Sequence, residues 1–185
     1  MIIGIVGLSG AGKDAAMEYL RSKYGYVKLS MADPIVEVAK RKSIYPSRLN
    51  LMKISVEYIN TYGKGYFVEQ IVTKILDNKW TDVGISGIRS CNDVKTFKRY
   101  FGDSFKLIYV RVKDPAIRFR RILLRNDGRG PDTFEEFLEK DSVEEIEFKI
   151  SETVKKADVV IDNEGDVDDL HLAVDTLVHN NWRQS

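Results

Sequence analysis

The chain predicts an α/β fold built on a parallel sheet, and three observations carry that prediction. Short apolar runs at 2–6, 26–30, 83–86, 106–112 and 158–162 have the length and composition of strands. Helical patterns separate them, and regular strand–helix alternation is the signature of βαβ units. The first run, Ile2-Ile3-Gly4-Ile5-Val6, is apolar apart from one glycine and leads straight into a glycine-rich turn.

That turn is Gly7-Leu8-Ser9-Gly10-Ala11-Gly12-Lys13-Asp14, the G-x-x-x-x-G-K frame of a phosphate-binding loop, placed between a strand and a helix as the frame requires. Residues without a Cβ let the backbone wrap closely around an anion. Successive N–H groups and the start of the following helix then point at phosphate oxygens, and Lys13 adds a full positive charge. Gly7, Leu8, Ser9, Gly10, Ala11, Gly12, Lys13 and Asp14 are therefore the expected binding residues for a nucleoside di- or triphosphate. The residue after the lysine is usually Ser or Thr, whose hydroxyl meets Mg²⁺. Asp14 stands there instead. A carboxylate can hold a hard cation, and it also suits the positive end of a helix dipole; both roles are open to it.

The remaining elements follow in order. Ala15, Ala16, Met17, Tyr19 and Leu20 supply a helix ending near Gly25, a suitable C-cap. Asp33 reads as an N-cap and Pro34 as a first-turn residue of the next helix. Residues 46–78 read as consecutive helices broken at Gly63-Lys64-Gly65. Residues 116–129 form a basic helix and loop, and 132–157 a long charged helical segment opened by Thr133 with Glu136 three residues on. Residues 158–162 make a last strand that ends in a turn at Asn163-Glu164-Gly165, and 166–180 a closing helix. No repeat, low-complexity tract or linker interrupts the chain, which reads as one domain over 1–185.

Bulk properties exclude several classes. Net charge is +1, from 29 basic and 28 acidic residues, so no global basic field points to nucleic acid. A lone cysteine, Cys91, rules out an internal disulfide framework and suits a reducing, cytoplasmic setting. The apolar N-terminus lacks a basic flank and is too short for a membrane span. His171 and His179 have no metal-ligand spacing around them.

Phosphoryl transfer needs two substrates in line, cations around the migrating charge and exclusion of water. Arg118, Arg121 and Arg125 are spaced for one helix face. Arg129 follows in the Gly-flanked stretch Asp127-Gly128-Arg129-Gly130-Pro131, the tip of a lid. A row of guanidinium forks suits polyphosphate; the other reading is a solvated face paired with Glu135, Glu136 or Glu139. Arg89 follows the 83–86 run and Asp33 the 26–30 run. Both therefore lie where ligands bind in doubly wound sheets, outside the carboxyl ends of strands. Arg89 is the candidate for an acceptor's phosphate, and Asp33 for orienting the acceptor or for capping its own helix. The strand-end Asp that often positions Mg²⁺ is expected at Ser86 and is absent.

Over nearly its full length the chain resembles the P-loop nucleoside-monophosphate-kinase superfamily. It is most similar to an archaeal group of adenylate-kinase-related nucleotide kinases and to phage-type deoxynucleoside monophosphate kinases. The carriers are the loop itself, Met31-Ala32-Asp33-Pro34-Ile35, Gly87-Ile88-Arg89-Ser90-Cys91-Asn92-Asp93-Val94, Arg118 with Arg125, and Ala157-Asp158-Val159-Val160-Ile161-Asp162-Asn163. The archaeal group usually has Asp at the place of Ser86 and Ser at that of Asp14. The resemblance implies a three-layer fold on five parallel strands, an acceptor-binding insert over about 33–78 and a lid over about 116–131. It implies that Gly10, Gly12, Lys13 and Asp14 hold ATP phosphates and Mg²⁺, with Asp14 as the metal ligand. It further implies that Arg89 grips the acceptor phosphate, that Arg118 and Arg125 reach the transferred group, and that Asn163 borders the donor base.

The expected activity is ATP-dependent phosphorylation of a nucleoside or deoxynucleoside monophosphate, with Lys13, Asp33, Arg89, Arg118 and Arg125 as the catalytic set. Two alternatives stand beside it: a kinase of dephospho-coenzyme A or another small molecule, and a nucleotide-binding regulator without catalysis. The expected partner is a small phosphate acceptor, with neither nucleic acid nor membrane, in a monomer or homodimer.

Overall fold

A computed structural model describes residues 1–125 and 130–181. Its strands are β1 (Ile2–Val6), β2 (Val27–Ser30), β3 (Val83–Ser86), β4 (Phe105–Arg111) and β5 (Val159–Asp162). They form one sheet in the order β2-β3-β1-β4-β5 with every neighbouring pair parallel. The helices are α1 (Lys13–Tyr24), α2 (Asp33–Arg41), α3 (Arg48–Tyr62), α4 (Tyr66–Asp77), α5 (Cys91–Phe101), α6 (Pro115–Arg125), α7 (Phe134–Phe148), α8 (Ile150–Val154) and α9 (Val167–Asn181). A single 3₁₀ turn at Gly102–Ser104 precedes β4.

The pleat of β1 explains the layering. Ile3 and Ile5 pack with Met17 and Leu20 of α1 and Leu170 and Val174 of α9. Ile2 and Val6 point the other way, into Val68 and Ile71 of α4 and Val94 and Phe97 of α5. Every residue of β1 is buried, as a strand covered on both faces must be. Each fully buried aliphatic side chain contributes about 1.5–3 kcal/mol, so the two clusters clamp the sheet from both sides. A third, smaller core of Val38, Ala39, Ile54 and Phe67 belongs to α2, α3 and α4, the helical insert read at 33–78. Tyr58, Tyr62 and Tyr66 pack with Phe67 of this core, ring centres of contacting pairs lying 4.9–5.8 Å apart.

Because all strands run the same way, the segments after β1, β2, β3 and β5 emerge at one edge. That edge gathers the loop at 7–14, the turn at Met31–Asp33, the stretch Gly87–Ser90 and the turn at Asn163.

The strand expectations hold to within a residue, and Gly25 is the α1 C-cap, φ +73°, its N–H bonding Arg21 O at 3.1 Å. Two local readings are corrected. Asp33 is not the N-cap of α2; Ala32 is, and it makes no side-chain cap bond. The Asp33 carboxylate instead turns back to accept from Ser30 N–H at 2.7 Å. The 132–157 segment is two helices, parted at Lys149, whose φ of +50° breaks the helical path. Arg129, read as part of a lid tip, lies outside the described residues. No described helix is long and apolar enough to cross a membrane.

Candidate active site

The loop between β1 and α1 closes on itself. Leu8 O accepts from Ala11 N at 3.2 Å and from Lys13 Nζ at 2.8 Å. Gly10 has φ +78°, and a Cβ there would stand 2.5 Å from the backbone oxygen of Arg118. The glycine thus admits both the left-handed turn and the close approach of α6. Gly12 caps α1 in the left-handed region with no side chain on the first-turn amides, which leaves those donors and the positive end of the helix facing the loop.

Three cations converge on this loop. Burial pushes the Lys13 ammonium down to about 8, against the attraction of Glu144 and then Asp14; Arg89 and Arg118 are near enough to push it further the same way. Arg118, 4% exposed, donates from Nη1 to Ser9 O at 3.3 Å. The structure therefore brings Lys13, Arg89 and Arg118 together from three separate parts of the chain. Arg121, roughly 60° round the helix from Arg118, goes elsewhere: it donates to Asn163 O at 2.9 Å and Gly165 O at 2.6 Å. Arg125 ends α6 as an exposed residue, about 10 Å along the helix from Arg118.

Sequence reasoning missed what holds these arginines. It offered Glu135, Glu136 and Glu139 as partners, but Arg118 Nη2 pairs with Asp141 Oδ2 at 2.6 Å and its guanidinium lies 4.9 Å from the Phe137 ring centre. Glu136 instead accepts from Asp132 N–H at 3.0 Å. Arg89 Nε pairs with Glu144 Oε1 at 3.5 Å, and its guanidinium lies 5.0 Å from Phe148. Helix α7 thus repeats one device, an aromatic ring and a carboxylate four residues apart, once for each arginine. The only sequence trace of it is the spacing of Phe137, Asp141, Glu144 and Phe148, which fixes a helix face but not what that face meets. Arg89 is further fixed at its backbone, where its carbonyl accepts from the fully buried Thr153 hydroxyl at 3.0 Å. Beside it Ser90 and Asp93 form a capping box for α5.

Asn163, 4% exposed, donates from Nδ2 to Ala11 O at 2.8 Å and braces the loop from behind; its Oδ1 is buried and has no partner among the described residues. A cleft of about 210 Å³ opens beside it, lined by Gly12, Ala15, Arg121, Asn163 and Val167 among others. A cleft of about 270 Å³ between α2 and α4 contains none of the loop residues and is spanned by the Lys74–Glu37 ion pair; of these two clefts, the one beside Asn163 touches the loop. For a divalent cation the fit is through Asp14. It is exposed in the first turn of α1, a hard oxygen donor next in sequence to Lys13. Ser86 does not offer a second ligand, since it is buried and its hydroxyl donates to Leu29 O at 3.4 Å.

Comparison with known proteins agrees with this architecture. A sequence model of the AAA-domain family matches residues 6–138. A UPF0200 protein of Thermococcus gammatolerans is 30% identical over 181 residues, covering 96% of this chain and 94% of that one. Among solved structures, TT1252 from Thermus thermophilus matches with a TM-score of 0.63 at 20% identity, over 96% of each chain. Shikimate kinase from Bacteroides thetaiotaomicron matches with a TM-score of 0.58 at 16% identity, again over 96% of each. At such identities these structures share a fold with this chain, the three-layer fold of P-loop kinases.

Proposed function

The chain belongs to the AAA-domain family and to the UPF0200 group, and from that membership we propose an ATP-dependent phosphotransferase acting on a nucleoside or deoxynucleoside monophosphate. The observation that carries the proposal is the meeting of Lys13, Arg89 and Arg118 around one glycine-rich loop. Three cations that crowd one another are unfavourable by themselves, and polyphosphate relieves the repulsion.

In this reading the amides of residues 8–13 and the Lys13 ammonium hold the donor's phosphates. The cleft beside Asn163 takes its base, with the Arg121 guanidinium as one wall. Arg118 meets the phosphoryl group in flight, with Arg125 further along the lid. Arg89 holds the acceptor's phosphate, and Asp33 lies at the acceptor side as a brace of its turn. Mg²⁺ held at Asp14 would neutralise charge on the donor phosphates. An acceptor phosphate oxygen attacks the γ-phosphorus, the bond from that phosphorus to the β-phosphate oxygen breaks, and ADP leaves with the electron pair. The attacking oxygen is already anionic, so no general base is needed. The cations position the two anions and α7 keeps water out.

A second reading rests on Glu144, a carboxylate beside Arg89 and close to Lys13. A hydroxyl acceptor, as in the shikimate kinases that share the fold, needs a base, and Glu144 or Asp33 would serve. A coupled assay with ribo- and deoxyribonucleoside monophosphates, dephospho-coenzyme A and shikimate tests both. Turnover with a monophosphate is the expected result. Turnover with hydroxyl acceptors alone favours the second reading. ATP binding without transfer to any acceptor rejects both.

A further inference from the structure

We infer that Asp141 is a positioning residue, fixing the guanidinium of Arg118 against the phosphate loop so that it faces the terminal phosphoryl group of the donor. The inference rests on the phosphotransferase reading above.

Arginine side chains are long, and a guanidinium that must meet a migrating phosphoryl group loses rotamer freedom when it does so. A side chain held in place beforehand avoids that loss at the moment of reaction. Arg118 is held from three directions. Ser9 O accepts from Nη1 at 3.3 Å, Asp141 Oδ2 lies 2.6 Å from Nη2, and the Phe137 ring covers the guanidinium at 4.9 Å. Asp141 is itself firmly set, because α7 is anchored to α6 by rings. Phe119 meets Phe134 and Phe137 at 5.5 and 5.6 Å, and Phe137 is 1% exposed.

The fork is not used up by these partners. Nε of Arg118 is buried and, among the described residues, has no hydrogen-bond partner, and a buried donor without a partner is costly enough to call for a ligand. A guanidinium carries five N–H donors in a fixed plane, so a carboxylate can hold one edge while a phosphoryl oxygen takes another. Arg89 offers a contrast. Its ion pair with Glu144 is longer, 3.5 Å, and its side chain is 46% exposed. That is a loose contact which an incoming phosphate can displace, whereas the Arg118–Asp141 contact is shielded and short.

If Asp141 acts through Arg118, losing it removes selectivity for the terminal phosphate more than it removes nucleotide binding. The test measures dissociation constants for ADP and for a non-hydrolysable ATP analogue by calorimetry. The proteins are the full-length parent, Asp141→Asn, Asp141→Glu, Arg118→Met and the double variant Arg118→Met/Asp141→Asn, each checked by thermal melting. The parent is expected to favour the ATP analogue. Asp141→Asn should cut that preference by about tenfold, within the worth of a hydrogen bond to a charged group, while ADP affinity stays within about twofold. Asp141→Glu, which keeps the charge, should retain part of the preference and serves if the asparagine variant does not fold. The double variant should lose no more than Arg118→Met alone, as residues acting through one another do. An unchanged preference in both Asp141 variants overturns the inference, as does tighter binding of the analogue, which would make Asp141 a competitor for Arg118. A parent that binds both nucleotides without preference overturns it too, while leaving nucleotide binding intact. A parent that binds neither overturns the phosphotransferase reading and takes this inference with it.

Discussion

Asp141 Oδ2 lies 2.6 Å from Arg118 Nη2 in an ion pair whose two side chains are 15% and 5% exposed. The two residues are far apart in sequence and sit on different helices, so the pair ties α7 to α6 directly over the loop. Substitution here separates stability from the chemistry proposed for Arg118, because a shielded pair and a guanidinium that meets a phosphoryl group respond differently to it.

Removing one partner leaves the other charge buried and uncompensated. Asp141→Ala should therefore lower unfolding free energy by about 3–5 kcal/mol. Replacing both, as Arg118→Met with Asp141→Leu, removes the stranded charge and should recover much of that loss, while the proposed phosphoryl transfer should not return. Urea denaturation of the three proteins checks this. A double variant as unstable as Asp141→Ala would show that packing, not charge, sets the cost.

Gly10 concerns the loop instead of its cover. At φ +78°, with the Arg118 backbone oxygen 2.5 Å from where a Cβ would stand, Gly10→Ala meets strain and a backbone clash together. Left-handed strain at a non-glycine residue costs about 1–3 kcal/mol, and the clash is with main chain that cannot rotate aside. Nucleotide binding should fall at least about tenfold and the melting temperature should drop. Gly25→Ala shares the positive φ, +73°, but has open space at its Cβ. It should lose some stability and keep its nucleotide affinity. Equal binding losses in both variants would remove the special place given to Gly10.

What the sequence made legible divides along physical lines. The loop was readable because phosphate binding by backbone amides is local: glycine spacing and one lysine specify it. The strands were readable because both faces of the sheet are covered, leaving apolar runs with few interruptions. The arginine row was half readable. Spacing placed Arg118 and Arg121 on neighbouring positions of one helix, but an angle of roughly 60° sends one to Ser9 and the other to the carbonyls of Asn163 and Gly165. Asp141 and Glu144 were not readable as site residues. In a helix rich in glutamate they look like any solvated carboxylates, and only the tertiary placement of α7 turns them inward. The break at Lys149 escaped for a related reason, since a lysine in the left-handed region leaves no mark in composition.

Lys13 makes the site sensitive to pH. Its ammonium is pushed down to about 8 by burial, whereas an unfolded chain holds that proton to about 10.4. Between those values the unfolded state binds more protons, so the Lys13 contribution to stability rises with pH through this window. Nucleotide affinity runs the opposite way. A bound polyphosphate favours the charged ammonium, so above pH 8 binding must take up a proton, and affinity should fall by up to about tenfold for each further pH unit. Calorimetry at pH 8.5 in buffers of different ionisation enthalpy reads that uptake directly. Glu144 raises the Lys13 value, so Glu144→Gln should lower it and move the onset of weakening toward neutral pH. The same change frees Arg89 from its 3.5 Å ion pair, so acceptor phosphate should bind this variant more tightly at pH 7. Affinity that stays flat from pH 7 to 9.5, with no buffer dependence in the heat, would mean that Lys13 keeps its charge throughout and that burial over the loop is looser than the fold describes.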